Sequence, residues 1–129
     1  MSVEVESYGP GTTRQNGAGL EVTVLGGFWR AGVLYVAATG QVDGAPRTGP
    51  PPRPEGMRIA SVEVLTPEGR WQPLEVRGGS GVTGRTSWQV LSEWACAVAP
   101  ERILVSPQGL EQKVEIRRIL DLNGEQADH

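Results

Sequence analysis

The fold is decided most clearly by the stretch Ile59–Val76, which reads IASVEVLTPEGRWQPLEV. Apolar and polar residues alternate on both sides of its centre, and this two-residue period is typical of β-strands with one buried face. The centre contains Pro67 and Gly69, residue types that favour a tight reversal of the chain. The stretch therefore predicts a β-hairpin with strands at Ile59–Leu65 and Trp71–Val76.

Similar patterns on either side predict two further hairpins. Leu20–Val24 alternates cleanly and continues through a Gly-Gly pair to Arg30, after which an apolar run follows at Val33–Ala38. Near the end of the chain, Arg102–Val105 and Lys113–Leu120 flank a Ser-Pro-Gln-Gly turn sequence. Period-2 runs separated by Gly and Pro are the usual signature of antiparallel strands.

The segment between Thr86 and Pro100 fits two structures. Several of its apolar residues lie three or four positions apart, which is typical of one face of a helix. The alternative is a turn followed by a strand at Trp94–Val98. Because Pro100 follows closely and the other predicted elements are strands, we favour the turn and strand and predict at most one short helix, near residues 86–95. The helical spacing is carried by Trp88, Leu91, Trp94 or Ala95, and Val98.

With a short first strand at Val3–Glu6, about seven strands are predicted, and no internal repeat is present. This number predicts an all-β protein with the architecture of an antiparallel β-sandwich, and its topology could be immunoglobulin-like. A small barrel is the alternative. We expect one sandwich domain at residues 1–122 and a polar tail at 123–129. The proline-rich segment 48–56 is predicted to be a long connection, because proline has no N–H to donate to a sheet.

The composition of the chain indicates which cellular location and which classes of partner to expect. The chain has 129 residues and a net charge of −3, which gives no overall attraction for nucleic acid or anionic membranes. Eleven of its 12 basic residues are Arg, with Lys113 the exception, and this bias predicts a bacterial source. The first residues, Met1–Glu6, lack the features of a signal peptide, and no run is long enough to span a bilayer. We therefore expect a cytoplasmic protein with no membrane insertion.

The residues that support most enzyme and metal chemistry are scarce. His129 is the only histidine and stands at the chain end, so a Ser-His-Asp or Cys-His arrangement lacks a positioned base. Cys96 is the only cysteine and lies in an apolar run, where it is expected in the core. Two such residues cannot supply the four ligands of a structural zinc site. We predict no catalytic residues, no metal and no cofactor.

One motif, in contrast, is typical of nucleotide-binding enzymes. Gly79, Gly81 and Gly84 have the spacing G-x-G-x-x-G, which in a turn between a strand and a helix binds the pyrophosphate of a dinucleotide. The short remaining chain and the absence of an acidic residue at the end of the next predicted strand weaken this interpretation. A nucleotide-binding small enzyme is therefore a remote alternative, and the segment 78–84 is predicted to be a surface loop.

The leading hypothesis is a non-catalytic binding module that acts through loops and a strand edge on a protein partner or on its own copies. A carbohydrate-binding module with exposed tryptophans is the alternative. Tryptophans close to predicted turns, arginines beside the prolines and residues of the glycine-rich segment are the types expected to contact a partner. The candidates are Trp29, Trp71, Arg47, Arg53, Gly79, Gly81 and Arg85.

The nucleotide alternative can be tested by thermal melting. We expect NAD and NADP to leave the melting temperature unchanged. A ligand at one hundred times its dissociation constant would add about 2.7 kcal/mol to the free energy of unfolding, which corresponds to several degrees for a domain of this size. A reproducible increase that disappears in Gly81→Ala would contradict the binding-module hypothesis.

Overall fold

In the computed structural model, which describes residues 5–15, 19–42, 59–84, 86–108 and 110–119, the chain is an all-β sandwich of two antiparallel sheets without a helix. The expected sandwich is confirmed, although the described residues form ten strands instead of about seven. The strands are β1 (Val5–Tyr8), β2 (Arg14–Gln15), β3 (Leu20–Arg30), β4 (Val33–Val42), β5 (Ile59–Leu65), β6 (Trp71–Pro73), β7 (Glu75–Thr83), β8 (Ser87–Ala95), β9 (Arg102–Pro107) and β10 (Val114–Arg117). None of the described residues forms a helix that could cross a membrane.

The two sheets contain the three predicted hairpins. The larger sheet has the order β1-β3-β4-β8-β7, with β2 pairing beside β1 on β3, and the smaller sheet has the order β10-β9-β5-β6. Ala31 and Gly32 join β3 to β4 with φ values of 53° and 85°, the left-handed conformations of a two-residue hairpin turn. In the β5–β6 turn, Gly69 takes a φ of 86° and its N–H bonds the Thr66 carbonyl. The predicted tail at 123–129 lies outside the described residues.

The chain changes sheets within the second hairpin. Only Trp71–Pro73 of the predicted strand Trp71–Val76 pairs with β5, and from Glu75 the backbone pairs with β8 in the other sheet. Leu74 lies at the corner, and its N–H bonds the Val62 carbonyl at 2.9 Å. This corner brings the end of the smaller sheet next to the edge of the larger one.

Two predictions for residues 78–98 are wrong: the turn followed by a strand at Trp94–Val98, and the surface loop at 78–84. Residues Ser87–Ala95 form a single strand. Every second residue of this strand is buried, whereas in a helix buried residues would recur at every third or fourth position. The region after Cys96, predicted as part of a strand, is a turn. The glycine-rich segment is also not a loop: all but its last residue belong to β7, which pairs with β8.

The core lies between the inner faces of the two sheets. Strands β4 and β8 alternate between buried and half-buried or exposed residues along almost their whole length. The backbone of Gly40 passes so close to the Trp88 indole that an added Cβ would lie 2.3 Å from the ring. Cys96 is buried, as expected from its apolar surroundings. The buried apolar residues are Tyr8, Val22, Val24, Trp29, Leu34, Val36, Ala38, Ile59, Val62, Val64, Trp88, Val90, Trp94, Cys96, Ile103, Val105, Val114 and Ile116.

Ser92 is the one buried polar side chain among the described residues, and it has two partners. Its Oγ accepts a hydrogen bond of 2.7 Å from Trp94 Nε1 and donates one of 3.2 Å to the Val36 carbonyl. A buried N–H without a partner costs more free energy than the hydrogen bond itself contributes. Ser92 therefore allows the indole of Trp94 to be buried between the sheets.

Replacing Ser92 should expose this dependence. In Ser92→Ala the indole N–H of Trp94 loses its acceptor in a site without solvent, so the free energy of unfolding should fall by about 1–3 kcal/mol. Ser87→Ala removes the same hydroxyl from an exposed position of β8 and should change it by less than about 0.5 kcal/mol. Urea denaturation followed by tryptophan fluorescence measures both. Equal stability of the two variants would show that the Ser92 hydroxyl is dispensable.

Candidate functional site

The most distinctive surface of the domain is the open edge formed by β7. This strand is the last in the larger sheet and pairs with β8 alone. Its residues include Gly78, Gly79 and Gly81, and no described strand covers its other side. Natural edge strands are usually short or protected by charged residues and proline. The start of β7 has such protection in Glu75, Arg77 and a bulge between Val76 and Gly78, whereas its stretch from Gly78 to Val82 carries neither a charge nor a proline.

The direction of the β7 backbone groups follows from the turn that joins it to β8. The N–H of Gly84 bonds the carbonyl of Ser87 at 2.7 Å, so Gly84 and Ser87 form a hydrogen-bonded pair of the hairpin. Because bonded and non-bonded pairs alternate in an antiparallel ladder, Val82 and Ser80 direct their N–H and C=O groups to β8. The N–H and C=O groups of Gly79 and Gly81 then point away from β8, onto the open edge.

Next to this edge, the outer face of the larger sheet carries a characteristic set of side chains. The ladder places Glu93 opposite Gly78, Leu91 opposite Ser80, and Gln89 opposite Val82. A Cβ built on Gly78 would lie 3.9 Å from Oε1 of Glu93, so the carboxylate lies beside the bare backbone of the edge strand. Glu93 forms no ion pair with any residue that the structure describes.

Beside Glu93 the same face is apolar. A shallow hollow of about 330 Å³ lies between Leu25, Leu91 and Val82, and the small side chains of Ala37 and Ser80 form part of its lining. Val82 is 72% exposed and Leu25 is 51% exposed. Leu25 reaches this face at an irregularity in the β3–β4 ladder between Val24 and Gly26. The edge therefore combines unpaired backbone groups, one free carboxylate and an apolar hollow.

A second concave surface lies at one end of the sandwich. It is a cleft of about 730 Å³ between the β5–β6 turn, the Leu74 corner and the turn after β8. Two buried side chains fix that last turn: Tyr8 Oη donates to the Pro100 carbonyl at 2.6 Å and Trp29 Nε1 donates to the Cys96 carbonyl at 2.7 Å.

The titratable groups at this end support structure. Burial raises the pKa of the Cys96 thiol, whose Sγ also contacts the Val98 carbonyl at 3.2 Å. Burial likewise raises the pKa of the Tyr8 phenol well above its ordinary value. A thiol that stays protonated is a poor nucleophile, so the geometry gives Cys96 a packing role.

Of the two tryptophans predicted to contact a partner, one is buried and the other is half-buried. Trp29 is buried, because its position on β3 faces the core, and the expectation that it contacts a partner is corrected. Trp71 is half-buried on the outer face of the smaller sheet, with the Arg102 guanidinium 5.6 Å from its ring centroid. Arg102 also bonds Glu115, and this hydrogen bond holds the pKa of the Glu115 carboxyl below its usual range. Trp71 and the β7 edge lie on different sheets.

Gly79 and Gly81 are brought together on one strand, although the sequence predicted them in a loop. Arg47, Arg53 and Arg85 lie outside the described residues. Glu93, Leu91 and Leu25 are not among the contact residues predicted from the sequence, because only the pairing of distant strands brings them next to the edge. A charged residue inside an otherwise alternating strand was the available signal for Glu93.

Comparisons with known proteins give no relative from which a function of this surface could be inferred. No protein family model, no curated protein and no solved structure matches the chain. Within the described ranges, no group of three or more His, Cys, Asp or Glu side chains is arranged to hold a metal ion.

The openness of the β7 edge can be measured by hydrogen exchange. The amide hydrogens of Gly79 and Gly81 should exchange faster than those of Ser80 and Val82 by on the order of tenfold or more, because only the latter two bond to β8. Nuclear magnetic resonance at neutral pH resolves the four amides. Equal protection of all four would mean that another part of the chain or a second copy already covers this edge.

Proposed function

We propose that this domain is a non-catalytic protein-binding module that accepts an extended strand of its partner along β7. The observation that supports the proposal best is the row of backbone groups at Gly79 and Gly81 that face the open edge. Addition of a strand to an exposed sheet edge is a common way in which proteins recognise peptides. The partner strand belongs to another protein or to a second copy of this chain.

The ladder between β7 and β8 itself favours glycine at position 79, for a steric reason. A Cβ built on Gly79 would lie 3.1 Å from the Leu91 carbonyl, which is tighter than ordinary contact. The bare backbone at Gly78, Gly79 and Gly81 gives an incoming strand little side-chain obstruction. Two donors and two acceptors of Gly79 and Gly81 can then bond, each contributing about 0.5–1.5 kcal/mol net.

The carbohydrate alternative has less support. Binding of sugar rings by stacking needs exposed aromatic faces, and the Trp29 indole is buried with its N–H bonded inside the domain. The Arg102 guanidinium lies over the ring of Trp71. For the nucleotide alternative, the required context is a turn that opens a helix, whereas Gly79 and Gly81 lie within a strand that leads into another strand.

A cytoplasmic location belongs to the same proposal. Cys96 is a buried free thiol, which is the usual state of cysteine in a reducing compartment. A bacterial source is proposed from the composition, in which arginine far outnumbers lysine and glycine, alanine and proline are abundant.

The proposal can be tested with a pair of substitutions at one position. Gly81→Pro removes the outward N–H and leaves the bonds from Ser80 and Val82 to β8 intact, since proline is tolerated where the N–H of an edge strand faces solvent. Gly81→Ala is the matched control that keeps the N–H. Proteins that co-purify with the tagged wild-type domain from its native cell should be retained by Gly81→Ala and lost with Gly81→Pro.

Two measurements make the result decisive. The melting temperatures of the variants verify that each is folded, and in the wild-type complex the amides of Gly79 and Gly81 should become protected from exchange. Sedimentation shows whether the bound strand comes from a second copy. Retention of every partner by folded Gly81→Pro, or binding that leaves the two amides unprotected, would show that β7 is not the binding edge.

A further inference from the structure

The side chains beside β7 specify the kind of strand that fits there. We infer that the partner strand carries a basic residue opposite Gly78 and large apolar residues opposite Ser80 and Val82, so that basic and apolar residues recur at two-residue steps. This inference rests on the proposed function and adds the chemistry of the partner to it.

The two-residue step follows from strand geometry. In β7 the side chains of Ser80 and Val82 face the outer surface of the larger sheet, because their partners Leu91 and Gln89 do so. A strand added beyond β7 continues the same pleat, so its residues opposite positions 78, 80 and 82 also face outward. Its intervening residues make the backbone bonds with Gly79 and Gly81.

Glu93 determines the charge of the first of these residues. Its carboxylate lies beside Gly78, and the absence of a side chain at Gly78 leaves the space between Glu93 and the edge unobstructed. A long basic side chain opposite Gly78 can therefore cross the bare strand and reach the carboxylate. Glu93 has no cationic partner among the described residues, so an incoming Lys or Arg would not compete with an existing ion pair. Complementary charges of this kind select partners and exclude those of the wrong sign.

The hollow beside Glu93 determines the other two residues. The short side chain of Ser80 lies between the edge and Leu91, and Val82 lies mostly exposed one step further along. The hollow of about 330 Å³ formed by these residues with Leu25 is large enough for an aliphatic or aromatic side chain from the added strand. Burial of these exposed apolar groups favours binding.

The inference can be tested with random displayed peptides about nine residues long, the length of β7. Selection on the immobilised full chain should enrich peptides in which a Lys or Arg is separated by two and four positions from apolar residues, in either chain direction. Selection on Glu93→Lys should instead enrich Asp or Glu at the basic position. A synthetic peptide selected on the wild type should bind Glu93→Lys about tenfold more weakly or worse, measured by fluorescence anisotropy.

A matched control separates local from overall charge. Glu68→Lys makes the same change of charge in the exposed β5–β6 turn, and it should leave the affinity for the wild-type peptide unchanged. A similar loss in Glu68→Lys and Glu93→Lys would show that only the net charge matters and would overturn the inference. The melting temperatures of both variants verify that they are folded.

The selected peptides also separate this inference from the proposed function. Peptides that lose binding in Gly81→Pro but show no basic and apolar pattern would contradict the inference and leave strand addition supported. Peptides that still bind Gly81→Pro would contradict both. A selection without enrichment would contradict the inference, whereas cellular partners lost with Gly81→Pro would still support strand addition.

Discussion

Burial of aromatic side chains that each carry a hydrogen-bond donor is the constraint on which the rest of this structure depends. The indole N–H of Trp94 reaches Ser92, that of Trp29 reaches the Cys96 carbonyl, and the Tyr8 hydroxyl reaches the Pro100 carbonyl. Each acceptor belongs to β8 or to the turn that follows it. These three side chains can fill the space between the two sheets because β8 and the turn after it supply an acceptor for each of their donors.

This constraint fixes the position of β8 and, through it, the exposed edge. With Trp88 and Trp94 facing the core, the alternation of the strand turns Glu93 and Leu91 outward. The register with β7 then places the carboxylate of Glu93 beside Gly78. The same interactions that stabilise the core therefore arrange the charged and apolar groups beside the edge.

The uncharged stretch of β7 from Gly78 to Val82 carries a risk of unspecific pairing with other strands. Its backbone offers hydrogen bonds to any extended chain, since main-chain groups carry no sequence information. In the proposed mode of binding, the carboxylate of Glu93 and the apolar hollow at Leu91 add a requirement for particular side chains. Selectivity of this kind comes from the face of the sheet, whereas the affinity common to all strands comes from its edge.

The sequence by itself determined the all-β class and the three hairpins, because alternation and turn residues such as Gly69 act over a few neighbouring positions. It also pointed to Gly79 and Gly81, although it assigned them to a loop. It did not determine the strand at 87–95, since its apolar residues fit both a helical and an extended period and only the pairing with β4 and β7 decides between them. The burial of Trp29 and the place of Glu93 beside Gly78 likewise depended on the tertiary structure. Strand order and register join residues distant in the chain, and local propensity carries no information about either.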